Sequence, residues 1–304
     1  MRIDTRHPLH APALAAIAPV GPLPTRDRVA PAPAQPLGFA PPVPGPELPA
    51  VRPHHPRLPQ PPSLAQLWEL AVGADPANRS AEGAHPSSFR NAHYANTRAQ
   101  LAYALTHDYN SFEGDVRLRD GVAVMQHDGV SARDLTFEQW ATIVHRAGRH
   151  MRIDVKEDEA LAHVEATLAR IGVPDGMVTF NVGLGTPWFQ SNLPAKEVVA
   201  LRARHPRSWI SINLPLPTGP IYEYAAWVAR RVGPERLGTT VLATHVDAGD
   251  VAKLRSAFAY LNAWNVPSWK PVADLAAEAR RLQAMGVNGM IDLRRADDPL
   301  ATDD

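Results

Sequence analysis

The chain has 304 residues, 31 of them proline and none cysteine, and its 31 Lys+Arg balance its 31 Asp+Glu. Zero formal charge gives no general attraction to nucleic acid or to an acidic membrane surface. The lack of Cys excludes disulfides, thiolate metal clusters and a cysteine nucleophile, and no apolar run is long enough to span a bilayer.

Residues 1–62 hold 18 of the prolines and one aromatic, Phe39, with six Lys/Arg against three Asp/Glu. Such a stretch has too little apolar surface to offset the entropy of ordering, so it reads as a disordered, polyproline-leaning tail. It is either a plain tether or a docking segment for a secretion chaperone or a host target, of the kind that delivered bacterial effectors carry. Pro8, Pro12 and Pro19 interrupt its beginning, so no Sec-type signal peptide is expected. The location is then cytoplasmic, or outside the cell by a non-Sec route.

A domain over 63–304 follows. Ser63 with Gln66 predicts a capping box opening a helix to about Ala71, then a polar loop to about Ser88. Short apolar runs then alternate with amphipathic stretches in a barrel region of about 89–295. Strands are predicted at Phe89–Tyr94, Ser111–Leu118, Met151–Lys156, Met177–Asn181, Trp209–Asn213, Thr239–His245, Ala259–Asn265 and Val287–Leu293. Helices are predicted near Arg98–Leu105, Thr136–Arg146, Asp158–Ile171, Ala195–Ala203, Ile221–Arg231, Asp250–Phe258 and Val272–Met285, with Thr136 and Asp158 marking two of the starts. Eight strands alternating with helices is the count of a (β/α)8 TIM barrel, an α/β fold. The rival open doubly wound sheet would show a Gly-rich phosphate loop after its first strand, and none is present.

Barrel enzymes place their chemistry at the C-terminal ends of the strands. In Ser111-Phe-Glu-Gly-Asp-Val-Arg-Leu118 the period of two puts Glu113 and Asp115 on one face and Phe112, Val116 and Leu118 on the other. The next long strand turns Arg152, Asp154 and Lys156 inward in the same way. Three inward carboxylates repel unless a cation joins them, and all-oxygen donors suit Mg²⁺ or Ca²⁺. An ion-pair network with Arg152 and Lys156 is the metal-free alternative. His93 ends the first strand. His127 follows the Asp120-Gly121 hairpin signal, whose two-residue loop would bring it level with Glu113 and Asp115, and Gly114 opposite would leave room for substrate. Asn181, Asn213, His245 and Asp292 lie at later strand ends as pocket candidates or ordinary rim groups, and Trp264 is a candidate pocket wall or core residue.

Ala92-His93, Asn96-Thr97, Phe112-Glu-Gly-Asp-Val116, Arg119-Asp-Gly-Val122, Met125-Gln-His-Asp128 and Ile153-Asp-Val-Lys156 resemble the glycerophosphodiester phosphodiesterase pattern, within the phospholipase-C-like phosphodiesterase superfamily of (β/α)8 barrels. The short His93-Tyr-Ala-Asn96 step is closer to the menorin family and to spider-venom sphingomyelinase D toxins. The resemblance implies that Glu113, Asp115 and Asp154 hold one divalent metal. By the same resemblance His93 and His127 form the acid/base or nucleophile pair, and Lys156 contacts phosphate, with Asn96 and Trp264 nearby. Two departures stand out. Tyr94 replaces an Arg that usually contacts phosphate, and Asp154 replaces a Glu, one methylene shorter.

The implied activity is cleavage of a small-molecule or lipid phosphodiester, a glycerophosphodiester or phospholipid type, by hydrolysis or through a cyclic phosphate. The alternative is a catalytically reduced barrel that binds a phosphorylated ligand or a host protein. A metal-dependent aldolase-type barrel would also use carboxylate ligands, but it fits less well with a His after the hairpin.

Overall fold

A computed structural model of the chain describes residues 58–300 except 128–132, 185–192, 215, 218 and 268–271. Residues 1–57 of the expected tail and Asp128 lie outside the described residues.

Local capping opens the helices. Ser63 accepts from Gln66 N while the Gln66 side chain returns to Ser63 N, opening α1 (Leu64–Val72). Thr97 with Gln100 opens α2 (Arg98–Thr106), and Thr136 with Gln139 opens α3 (Phe137–Arg146). α4 (Asp158–Ile171) starts differently. Glu157 is the N-cap and makes no capping bond, because its carboxylate takes Leu118 N and Arg117 Nη1 instead. Asp158 therefore sits one residue inside the start, where a negative charge suits the helix dipole. α5 (Ala195–Arg204), α6 (Gly219–Val232), α7 (Ala248–Arg255) and α8 (Leu275–Met285) complete the set.

The strands are β1 (Asn91–Ala92), β2 (Ser111–Arg119), β3 (Val122–Met125), β4 (His150–Val155), β5 (Val178–Gly183), β6 (Trp209–Asn213), β7 (Leu237–Leu242), β8 (Tyr260–Trp264) and β9 (Ile291–Asp292). Eight of them run parallel in the order β1-β2-β4-β5-β6-β7-β8-β9, and β3 folds back on β2 through the Asp120-Gly121 turn, with Arg119 opposite Val122. The result is a nearly closed TIM barrel with helices outside it. Phe112, Val116, Ile153, Val155, Phe180 and Val182 fill the layer between strands and helices and are almost wholly inaccessible.

Side chains join the two ends of the ladder. Asn91 Nδ2 on β1 donates to Asp292 Oδ2 on β9 at 2.9 Å, and Arg294 Nη2 donates to the Asn91 carbonyl. β1 and β9 are two residues each, shorter than their apolar runs suggested, because burial there continues after ladder pairing stops. The run to His245 likewise ends as a strand at Leu242 and becomes a short 3₁₀ turn over Ala243–His245.

Gly114 does not open space for substrate. With Glu113 and Asp115 facing inward it faces the helices, and a Cβ there would stand 2.2 Å from Met125 Cε and 3.1 Å from the Trp140 ring. The glycine makes room for core side chains.

Candidate active site

Ladder register sets the site. Asp115 on β2 pairs with Asp154 on β4, and one step below Glu113 pairs with Arg152, so all four inward side chains share adjacent levels of the barrel. Lys156 follows β4 immediately. Its Nζ lies 2.8 Å from Asp115 Oδ1 and 2.8 Å from Asp154 Oδ2. Asn96 holds the other side of Asp115. Its Nδ2 donates to Asp115 Oδ2 at 2.7 Å and its Oδ1 accepts Asp115 N at 2.8 Å.

Glu113 belongs to a second group. Its Oε2 accepts from Asn91 Nδ2 at 2.9 Å and lies 3.3 Å from His93 Nδ1 and 3.5 Å from Arg152 Nε. Asp292 Oδ2 stands 2.9 Å from the same His93 nitrogen, while its Oδ1 pairs with Arg294 Nε at 2.9 Å. His93 Nδ1 is thus fixed by carboxylates, and the ring lies between Trp264, stacked at 5.8 Å, and Tyr94, edge-on at 4.2 Å. Tyr94 also meets His127 edge-on at 4.8 Å, with its hydroxyl 3.3 Å from Nε2. The His127 carbonyl accepts from Arg117 Nε at 3.1 Å.

The two imidazoles are biased in opposite directions. Burial works against a proton on His93, but the charges of Glu113 and Asp292 outweigh it and raise its pKa. Burial lowers His127, helped by Lys156 and only partly opposed by Asp115. Burial alone would raise Asp115, yet Lys156 and His127 with the Asn96 hydrogen bond hold it down at about 2. Asp292, buried beside Arg294 and His93, lies well below the usual carboxylate range. Burial would strip Lys156 of its proton, but Asp115 and Asp154 keep it on and raise its pKa.

The structure therefore brings together His93, Glu113, Asp115, His127, Asp154 and Lys156, with Asn96, Trp264 and Asp292 beside them. Asn181 pairs with Asp154 in the ladder and accepts from Arg152 Nη2 at 2.8 Å. Asn213 ends β6 half-buried, and its Oδ1 has no hydrogen-bond partner among the described residues. His245 does not join. It is exposed on the turn after β7, beside Thr244. Asn91 and Arg294, which fix Asp292 and Glu113, were not singled out by sequence. Their contacts join the two ends of the chain's barrel, and no local spacing encodes that.

Glu113, Asp115 and Asp154 are oxygen donors on adjacent strands, the kind of donor a hard divalent ion takes, and Asp154 Oδ1 is buried without a hydrogen-bond partner among the described residues, but Glu113 Oε2 is drawn to Asn91, His93 and Arg152 rather than to the two aspartates. A second grouping, His93, Glu113 and Asp292, brings ligand atoms within 4.8 Å of one another. Its carboxylates are already hydrogen-bonded by Asn91 and paired with Arg152 and Arg294, much as Lys156 pairs with Asp115 and Asp154.

Fold and site together define a (β/α)8 barrel with an acid–imidazole centre at the C-terminal ends of its first strands. The menorin N-terminal domain model matches residues 87–182, the part that carries His93 through Lys156. No curated protein sequence matches the chain. Among solved structures, the chain is similar to one described as a glycerophosphoryl diester phosphodiesterase from Silicibacter pomeroyi, with 15% identity over 73% of this chain and 88% of that one, TM-score 0.47. An Oleispira antarctica phosphodiesterase in complex with the product sn-glycerol-3-phosphate is 14% identical over 63% and 82%, TM-score 0.44. One described as a glycerophosphodiester phosphodiesterase from Galdieria sulphuraria is 12% identical over 71% and 93%, TM-score 0.47. The menorin match and the motifs agree in the resemblance they indicate. Likenesses this distant carry no argument of their own, and the functional reading rests on the site.

Proposed function

We propose that this barrel is a metal-dependent phosphodiesterase acting on a glycerophosphodiester or phospholipid-type substrate, with His93 and His127 as its acid/base pair. The observation that carries the reading is the meeting of two imidazoles of opposite proton bias beside three inward carboxylates and an ammonium. Environments that push two titratable groups apart divide acid from base work.

His93 is the acid. With Nδ1 held by Asp292 and Glu113, its other nitrogen carries the proton given to the leaving alkoxide. His127, kept neutral, is the base and takes the proton from water or from a neighbouring hydroxyl of the substrate. Water as the attacker gives hydrolysis, and the hydroxyl gives a cyclic phosphate. Glu113, Asp115 and Asp154 would hold a Mg²⁺ or Ca²⁺ ion, which supplies Lewis-acid charge to the phosphoryl oxygens when bound. Lys156 now neutralises Asp115 and Asp154. Where a cation takes over that task, its ammonium is the charge left for a phosphate oxygen. Trp264 and Tyr94 wall the His93 side.

One observation favours a second reading. The Lys156 bridge is what a metal-free ion-pair network would look like, so a barrel that binds a phosphorylated ligand without turnover is the rival. Full-length protein assayed on an aryl phosphodiester with Mg²⁺, Ca²⁺ or chelator separates the two. Turnover should need metal, and His93→Ala and His127→Ala should each lower kcat by about 10²–10⁴-fold. Full rate in both variants would refute the acid/base assignment, and binding without turnover would favour the rival.

A further inference from the structure

The His93–Asn96 step is pinned on both sides. His93 Nδ1 is held by Asp292, Ala95 N donates to the Glu113 carbonyl at 2.9 Å, and the Ala95 carbonyl accepts Trp140 Nε1 at 2.8 Å. Asn96 is locked on Asp115 by two hydrogen bonds. Between these anchors Tyr94 takes φ 50°, a left-handed conformation that a bulky side chain adopts only when its surroundings force it. The consequence is where the ring goes. It stands edge-on to both imidazoles, 4.2 Å from His93 and 4.8 Å from His127, and its hydroxyl reaches His127 Nε2.

His127 needs such a partner. Its backbone is tied down, since its carbonyl accepts from Arg117 and Arg117 Nη1 is fixed 2.7 Å from Glu157 Oε1. Its ring has the Tyr94 hydroxyl as its hydrogen-bond partner among the described residues. A histidine whose ring is free to turn or to exchange tautomers presents the wrong nitrogen part of the time.

We infer that Tyr94 is a positioning residue for His127: its hydroxyl fixes the ring through Nε2 and leaves Nδ1 for proton transfer. The inference rests on the phosphodiesterase reading.

Tyr94→Phe keeps the ring and removes the hydroxyl. In the full chain, kcat on an aryl phosphodiester should fall by about 10- to 100-fold with KM unchanged, as expected for a misplaced catalytic group. In ¹⁵N-histidine spectra, assigned with His127→Gln, the two His127 ring nitrogens should be well separated in the wild type and converge in Tyr94→Phe as the tautomers mix. An unchanged kcat in an active protein would overturn the inference and leave the function standing. A raised KM with kcat kept would overturn it by making Tyr94 a substrate contact. A wild type with no turnover at all would fell the phosphodiesterase reading and the inference with it.

Discussion

Lys156 sets one positive charge against two buried carboxylates, 2.8 Å from each. Lys156→Met would leave Asp115 and Asp154 buried without their cation, which costs about 3–5 kcal/mol when one partner of a buried pair is removed. If the carboxylates form a metal site, Ca²⁺ or Mg²⁺ should raise the melting temperature of this variant more than that of the wild type, because the ion binds only the folded form. No response to metal in either protein would speak for the ion-pair network. His150 supplies a pH prediction away from the site. It is buried, stacked on Phe89 and bonded to Thr179 Oγ1, and burial together with the Arg152 charge pushes its pKa down to about 3. The unfolded chain binds that proton below about pH 6.5 and the fold does not, so stability should fall as pH drops from 6.5 towards 3, by about 1.4 kcal/mol per pH unit for this group. Urea denaturation of wild type and His150→Gln should show the shallower acid slope in the variant; equal slopes would contradict the assignment. The inward set Glu113, Asp115, Arg152, Asp154 and Lys156 was legible in the sequence because side-chain direction in a strand alternates by residue. The 2.9 Å contact of His93 with Asp292 was not, because 199 residues separate the partners.

At the scale of elements, capping chemistry was readable where it was sought. Ser63/Gln66 and Thr136/Gln139 each close a reciprocal bond within four residues, so local spacing contains the whole interaction, and Thr97/Gln100, not singled out from the sequence, does the same. Strand ends were less readable. Apolar composition reports burial, whereas strand bounds depend on a partner elsewhere in the chain, and β1 and β9 shrink to two residues each. The glycines of the strands likewise need the fold to be understood. A Cβ at Gly238 on β7 would stand 2.4–2.5 Å from ring atoms of Tyr260 on β8, whose hydroxyl donates to the Ile210 carbonyl on β6. Gly238→Ala should therefore cost about 1–3 kcal/mol by overpacking, read as a lower urea midpoint at unchanged slope. A midpoint within error of wild type would show that Tyr260 can move aside.

For the domain over the described residues, alternation of strand and helix made the barrel legible, but not how its ends meet. That junction rests on Asn91, Asp292 and the buried Arg294, and Asp292 also holds His93, so closure and the proposed acid share one carboxylate. Arg294→Gln should lower stability by about 3–5 kcal/mol in urea denaturation, as for any broken buried pair, and should reduce turnover in the protein that remains folded. A stable, fully active variant would separate closure from the site. No helix among the described residues is long and apolar enough to cross a membrane.

The most direct test of the whole account is the initial rate of aryl phosphodiester cleavage by the full chain, measured across chelator-buffered concentrations of free Mg²⁺ and Ca²⁺. The rate should rise to saturation with one of these ions, vanish with chelator and return when the ion is restored. A rate indifferent to metal, or no cleavage at any concentration, would contradict it.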